Sequence, residues 1–202
     1  MLLVIDTSTA ACTTALFDEA GVCLASRDEL IGRGHAVRLV PMIDELMAGR
    51  RADRILVGVG PGSFTGIRVG IAAAQGLAIG WGAEIAGMSS LGLLAAGAGK
   101  EGEVSAAMLG GHGELFLQSF DGASVEPRSE IVNLTPAAAA RNSNAESIIG
   151  PGATVLVEAR GWGTAVEGWP TAKNAPRLPQ ALRTLPPKPI YGRAPDAKAK
   201  AA

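Results

Sequence analysis

Leu2 to Ile5 form an unbroken apolar run, the pattern of a central strand covered on both faces. Residues 6–13, DTSTAACT, turn into a second strand at 13–17, and residues 18–21 lead to a third at 22–26. From His35 to Ala48 the period changes. Leu39, Met42, Ile43, Leu46 and Met47 recur at three- and four-residue steps, which predicts one apolar face of a helix. Pro41 inside this stretch predicts a kink or the true first turn. A strand at 54–59 then ends in Gly60-Pro61-Gly62, and a nearly uncharged helix starts near Gly66 with Ser63 or Thr65 as cap. Ile85 and Ala86 mark a short strand, and Ser89 or Ser90 caps a helix through 91–96.

Residues 97–102 read as a boundary. Beyond it, strands at 104–109 and 114–120 flank a hairpin signal at 110–113. Residues 135–141 predict a helix with Thr135 as cap and Pro136 in its first position. Short strands are expected at 147–149 and 154–158, around Gly150-Pro151-Gly152, and a last helix at 178–185. The order of strands and helices gives an α/β architecture, and the hairpin that opens each half points to two related lobes. No short internal repeat is visible.

At 202 residues the chain has room for one large domain or two small lobes. Cys12 and Cys23 are its two cysteines, and the expected first hairpin brings Cys12 near Arg27 rather than Cys23. A reduced, intracellular setting follows. Asp6 precludes reading the N-terminus as a signal peptide, and the apolar run 67–79 is too short for a membrane span and carries Arg68 and Gln75. The expected location is the cytoplasm. Seven of the 18 Lys and Arg residues lie beyond Pro170, against one acid, Asp196. Such a tail either meets nucleic acid or an acidic partner, or is a solvated, Pro-rich end.

The Gly-rich turn invites comparison with phosphate loops. It lacks the Gly-Lys-Ser/Thr ending of a Walker loop, because Ile67 and Arg68 follow Gly66, and it lacks the last glycine of a dinucleotide fingerprint. Its role reads as structural. Gly66, Gly70, Ala73, Ala74 and Gly76 let another element lie close to the helix axis. Asp6 is either a vestigial metal or nucleotide carboxylate or a residue capping its own turn. His35 is either a partner contact or an ordinary first-turn residue. Arg68, on an apolar helix, either reaches solvent or meets a carboxylate. His112 and Glu114 flank a hairpin tip with no nucleophile beside them, and read as surface.

Four stretches carry a family resemblance: LLVIDTSTAACTTAL at 2–16, GHAVRLVPMIDELM at 34–47, VGVGPGSFTGIRVGIAAAQGLAIG at 57–80 and PIYGRAPDAK at 189–198. They resemble the bacterial TsaB (YeaZ) family of tRNA threonylcarbamoyladenosine biosynthesis. The resemblance implies an actin-like, Hsp70-like fold of two ribonuclease-H-type lobes with a reduced second lobe. The expected division is 1–97, 98–188 and a Pro-rich basic tail at 189–202. It implies a non-catalytic subunit that pairs with a TsaD-type transferase and, with it, engages a TsaE-type ATPase, tRNA being met within the complex. Alone, the chain is expected to form a homodimer.

The sister TsaD binds metal through a His-x-x-x-His pair. The matching positions here are Ser90 and Leu94, so no metal and no catalytic residue carries over. LGGH at 109–112 departs from the family pattern, and no role carries over there. The family's phosphate-cradling turn corresponds to residues 6–11, from Asp6 to Ala11. No cofactor is expected, with a vestigial nucleotide site at that turn. The family's interface helices match 35–48 and 65–79. The expected partner surface is therefore His35, Leu39, Met42, Ile43, Leu46 and Met47 on one helix, and Arg68, Val69, Gly70, Ala73 and Ala74 on the other. The alternative class is an ATP-binding enzyme of the same superfamily. No Ser/His/Asp or metal-protease pattern supports a peptidase.

Overall fold

The computed structural model describes residues 1–191. Two five-stranded sheets organise the chain. The first contains β1 (Leu2–Asp6), β2 (Ala11–Phe17), β3 (Cys23–Leu30), β4 (Arg54–Gly58) and β5 (Glu84–Met88), in the order β3-β2-β1-β4-β5. β1 to β3 form an antiparallel meander, and β4 and β5 add in parallel on the other side of β1. The second contains β6 (Glu103–Leu109), β7 (Leu115–Asp121), β8 (Val132–Leu134), β9 (Ser147–Ile149) and β10 (Thr164–Val166), in the order β10-β9-β6-β7-β8. Again the first three are antiparallel and the last two parallel. The two lobes thus share one topology, the second with strands cut to three residues at β8, β9 and β10.

Helices fill both faces of the first sheet. α1 (His35–Met47) and α2 (Phe64–Trp81) cover the outer face, where Leu3, Ile5 and Leu16 meet Leu39, Met42, Leu46, Ile67, Ile71 and Ala74. α1 continues through Pro41, and the Ser63 hydroxyl caps α2 by accepting from Gly66 N. On the inner face Val4, Ala15, Phe17 and Leu56 share one core with α3 (Ser90–Gly97) and with Val104, Met108 and Phe116 of the second sheet. That core binds the lobes together. α4 (Pro136–Asn142) and α5 (Ala153–Arg160) cover the far face of the second sheet through Ala139 and Leu156.

Three expectations change. Residues 154–158 are helical within α5, not a strand, although Val155 and Val157 favour sheets. Ala153 and Leu156 bury one stripe three residues apart, and Gly161 ends the helix in the left-handed region, so packing overrides propensity. In the first hairpin Cys12 pairs with Glu29 and Thr14 with Arg27, a two-residue shift from the expected register. Cys12, buried, and Cys23, exposed, are both free thiols. A further segment, a 3₁₀ turn at Ala172–Arg177 with α6 (Gln180–Arg183), returns to the first lobe. Ala172 N donates to Thr13 Oγ1 at 2.7 Å, Ser89 N to Leu182 O at 2.9 Å and Ile190 N to Val59 O at 2.8 Å. Gly87 and Leu185 exchange two backbone bonds. The part of the basic tail from residue 192 on lies outside the described residues.

Gly87 lets this return segment seat, since a Cβ there would stand 2.6 Å from Val59 Cγ1 and 2.7 Å from the Pro186 carbonyl. Gly87→Ala should therefore cost about 1–3 kcal/mol. Gly76→Ala, on the open side of α2, should gain about 0.5–1 kcal/mol. Urea unfolding of each variant, read at its midpoint, checks both signs.

Candidate functional site

The first hairpin turn is closed by the Gly-rich loop. Ser63 N donates to Ser8 O at 2.7 Å, and Thr7 Oγ1 donates to Gly66 O at 2.7 Å. Gly62 sits at φ 151° directly over the Ser8 carbonyl, where a side chain would overlap it. Asp6, Thr7 and Ser8 are buried, and the Thr9 hydroxyl accepts from Ala11 N. Asp6 accepts from Ser8 N at 2.8 Å, Ser8 Oγ at 2.7 Å and Ser90 Oγ at 2.6 Å. It caps its own turn and ties β1 to the start of α3. Burial pushes its carboxyl above the ordinary range, against the lowering effect of those bonds and of the His35 charge. Leu94, the other position matching the sister's histidine pair, is packed in the core between the lobes. Among the described residues no group of three His, Cys, Asp or Glu is placed to hold a metal.

The expected partner surface divides by burial. His35, Leu39, Met42, Ile43, Leu46 and Met47 all face inward; His35 Nε2 lies 3.3 Å from Ala11 O, and the other five sit in the core under α1. Gly70 and Ala74 also face the sheet, a Cβ on Gly70 coming within 2.5 Å of Thr7 Oγ1. The close approach permitted by Gly66, Gly70 and Ala74 is to β1 and β4 of the chain itself, not to a partner. Val69 and Ala73 are half-buried and Arg68 is exposed. The outward faces carry other residues: Val37, Val40 and Pro41 on α1, and Ala72, Gly76, Ile79 and Gly80 on α2. Their signal was an apolar residue at positions 37, 40 and 79 that the inward stripe does not use.

A second concavity, of about 620 Å³, opens between the lobes. Ser8–Ala10, Ser63, Phe64 and Arg68 border it on the first lobe, Leu109–His112 and Phe116 on the second, with Trp169, Ile190 and Tyr191 completing the lining. Arg68 lies flat on Phe64, its guanidinium carbon 3.5 Å from the ring centroid, and donates from Nε to Tyr191 Oη at 3.0 Å. The Phe64 and Tyr191 rings stand 5.4 Å apart. Among the described residues Arg68 thus meets an aromatic pair rather than a carboxylate. At the hairpin tip, Glu114 accepts from Asn133 Nδ2 at 2.5 Å.

Two lobes of one ribonuclease-H-type topology, facing each other across a cleft, place the molecule among the actin-like α/β proteins. The family model for TsaD, tRNA N6-adenosine threonylcarbamoyltransferase, matches residues 27–145. The tRNA threonylcarbamoyladenosine biosynthesis protein TsaB of Haemophilus influenzae is 46% identical over 84 residues, 39% of this chain and 35% of that protein. The TsaB protein of Escherichia coli is 39% identical over 102 residues, 48% of this chain and 43% of that one. The matched stretch therefore spans less than half the length of these curated relatives. Among solved structures, YeaZ from Pseudomonas aeruginosa superposes with a TM-score of 0.77 at 30% identity, covering 94% of this chain and 98% of that one. A second Pseudomonas aeruginosa structure, described as similar to peptidase YEAZ, gives 0.77 at 32%, covering 95% and 99%. The chain belongs to the TsaB (YeaZ) family.

Asp6 yields a pH signature. The folded chain holds the Asp6 proton more tightly than the unfolded chain, so the stability it carries is complete below the unfolded pKa of about 4 and is lost as pH rises through the folded value. Asp6→Asn removes that loss. The stability difference, wild type minus variant, should fall as pH is raised from the acid side, measured by urea unfolding at each pH. Asp6→Ala, which strands the donors of Ser8 and Ser90, should cost about 2–3 kcal/mol at the acid end of that range, the cost shrinking as pH rises because this variant too lacks the titration.

Proposed function

We propose that the chain is a non-catalytic subunit that heterodimerises with a TsaD-type threonylcarbamoyltransferase in the synthesis of tRNA N6-threonylcarbamoyladenosine. The observation that carries the reading is the outward face of the α1–α2 layer. Val37, Val40 and Ile79 are 79%, 57% and 86% exposed on neighbouring helices, side by side with small residues that leave the backbone open. Two parallel ridges of this kind invite a second pair of helices at a short interaxial distance. Between the helices a groove of about 340 Å³, bordered by Val40, Ile43, Met47, Leu77 and Trp81 and by the charged Asp44, Arg50 and Arg51, offers a seat for a partner side chain. When the partner is absent, the same face is the one expected to pair with a second copy in a two-fold homodimer. A TsaE-type ATPase and tRNA are then met by the assembled pair.

The role of partner rather than enzyme draws support from the turn at Asp6, whose side chains are consumed in holding the Gly-rich loop and α3. An ATP-binding enzyme would need them at a phosphate. Calorimetry with the TsaD-type subunit and, separately, with ATP–Mg tests the assignment. The expected result is partner binding without ATP heat. Ile79→Glu should raise the partner Kd at least tenfold, about 1.4 kcal/mol, with the circular dichroism spectrum unchanged. Gly70→Leu is the wrong probe, because it strikes the core beneath α2. ATP binding with no partner affinity, or an Ile79→Glu variant that binds like wild type, would overturn the proposal.

A further inference from the structure

We propose that the cleft between the lobes binds a small organic anion with a flat apolar body, an aromatic carboxylate or phosphate, with Arg68 as its charge-recognising group. The inference is independent of the α1–α2 docking face. A space of about 620 Å³ is of the size that takes a metabolite rather than a protein segment. Its lining includes the aromatic residues Phe64, Phe116, Trp169 and Tyr191 together with Leu109, suited to a planar body.

Charge selects the sign of the ligand. Among the described residues no Asp or Glu borders this cleft, whereas the other large concavity, of about 550 Å³, mixes Asp18, Glu19 and Glu84 with Arg54 and Arg183. The Ser8 hydroxyl is spent on Asp6, and the Ser63 hydroxyl accepts from Gly66 N. The Ser63 O–H stays available to donate and Thr9 and His112 also border the cleft, while Arg68 brings the permanent positive charge. Its guanidinium has five N–H donors, of which Nε–H goes to Tyr191 Oη. Among the described residues no carboxylate pairs with it. Stacking on Phe64, with Tyr191 at 5.5 Å, already fixes the plane of the fork. The remaining donors thus meet an oxyanion with little further ordering to impose. A cationic ligand would face Arg68 with nothing to neutralise it.

The test uses the full chain, labelled with ¹⁵N and titrated with phenyl phosphate, benzoate, adenosine monophosphate and neutral benzyl alcohol. Phenyl phosphate should shift the Trp169 indole signal, assigned through Trp169→Phe, and leave those of Trp81 and Trp162 in place. Arg68→Gln should weaken binding about tenfold or more, and Tyr191→Phe, which keeps the ring but loses the Nε acceptor, about threefold. Preference for adenosine monophosphate would assign a nucleotide as the source of the anion, and preference for benzoate an aromatic acid. Benzyl alcohol binding as well as phenyl phosphate, an unchanged affinity in Arg68→Gln, or no shift up to about 10 mM would overturn the proposal.

Discussion

Two backbone-level bonds, Ser63 N to the Ser8 carbonyl and Thr7 Oγ1 to the Gly66 carbonyl, fix the first lobe. They hold the loop after β4 flat on the turn after β1, and so set where α2 begins and which side of it meets the sheet. Once α2 is placed, Gly70 and Ala74 lie against Val57 and Thr7, and the outward face follows from the helical period. The same contact aims Phe64 and Arg68 into the gap between the lobes. One junction of two loops thus determines both the external face and the internal cleft.

Asp6 works on the other side of that junction. A buried carboxylate with three donors is costly to desolvate but strict in its geometry, and here it joins the end of β1 to the first residue of α3. Because α3 lies in the core shared by both sheets, the orientation of the second lobe is referred back to β1. The cleft owes its shape to this chain of constraints, in which Ser8 and Ser63 of its own lining take part.

The sequence was most informative where period and punctuation agree. β1, α1, the strand at β4 and the cap at Ser63 follow from apolar runs, a serine and three glycines. It was least informative where tertiary burial decides. Residues 154–158 carry valines that favour strands, yet Ala153 and Leu156 bury as a helix stripe. The site suffered the same ambiguity. An apolar helix stripe reads alike whether it meets its own sheet or another molecule, so Met42 and Leu46 were indistinguishable from a contact surface without the sheet beneath them. The second set of apolar positions on these helices, Val37, Val40 and Ile79, exceeds what one sheet can cover. The stack of Phe64 and Arg68 is a four-residue helix spacing legible in the string itself, but Tyr191, which completes it, is brought in from far along the chain.

The return of residues 172–190 to the first sheet has a consequence for how the molecule comes into being. Leu182 and Leu185 bond to Ser89 and Gly87, and Ile190 to Val59, so the earliest-made lobe contains the latest-made strap. On the ribosome, β1 to β5 emerge long before the residues that finish their inner face, and the whole second lobe is threaded between the two. The first lobe is begun first and completed last. Its inner surface, with Phe17 and Leu56, stays uncovered by Leu178 and Leu182 until the end of the described chain has left the exit tunnel.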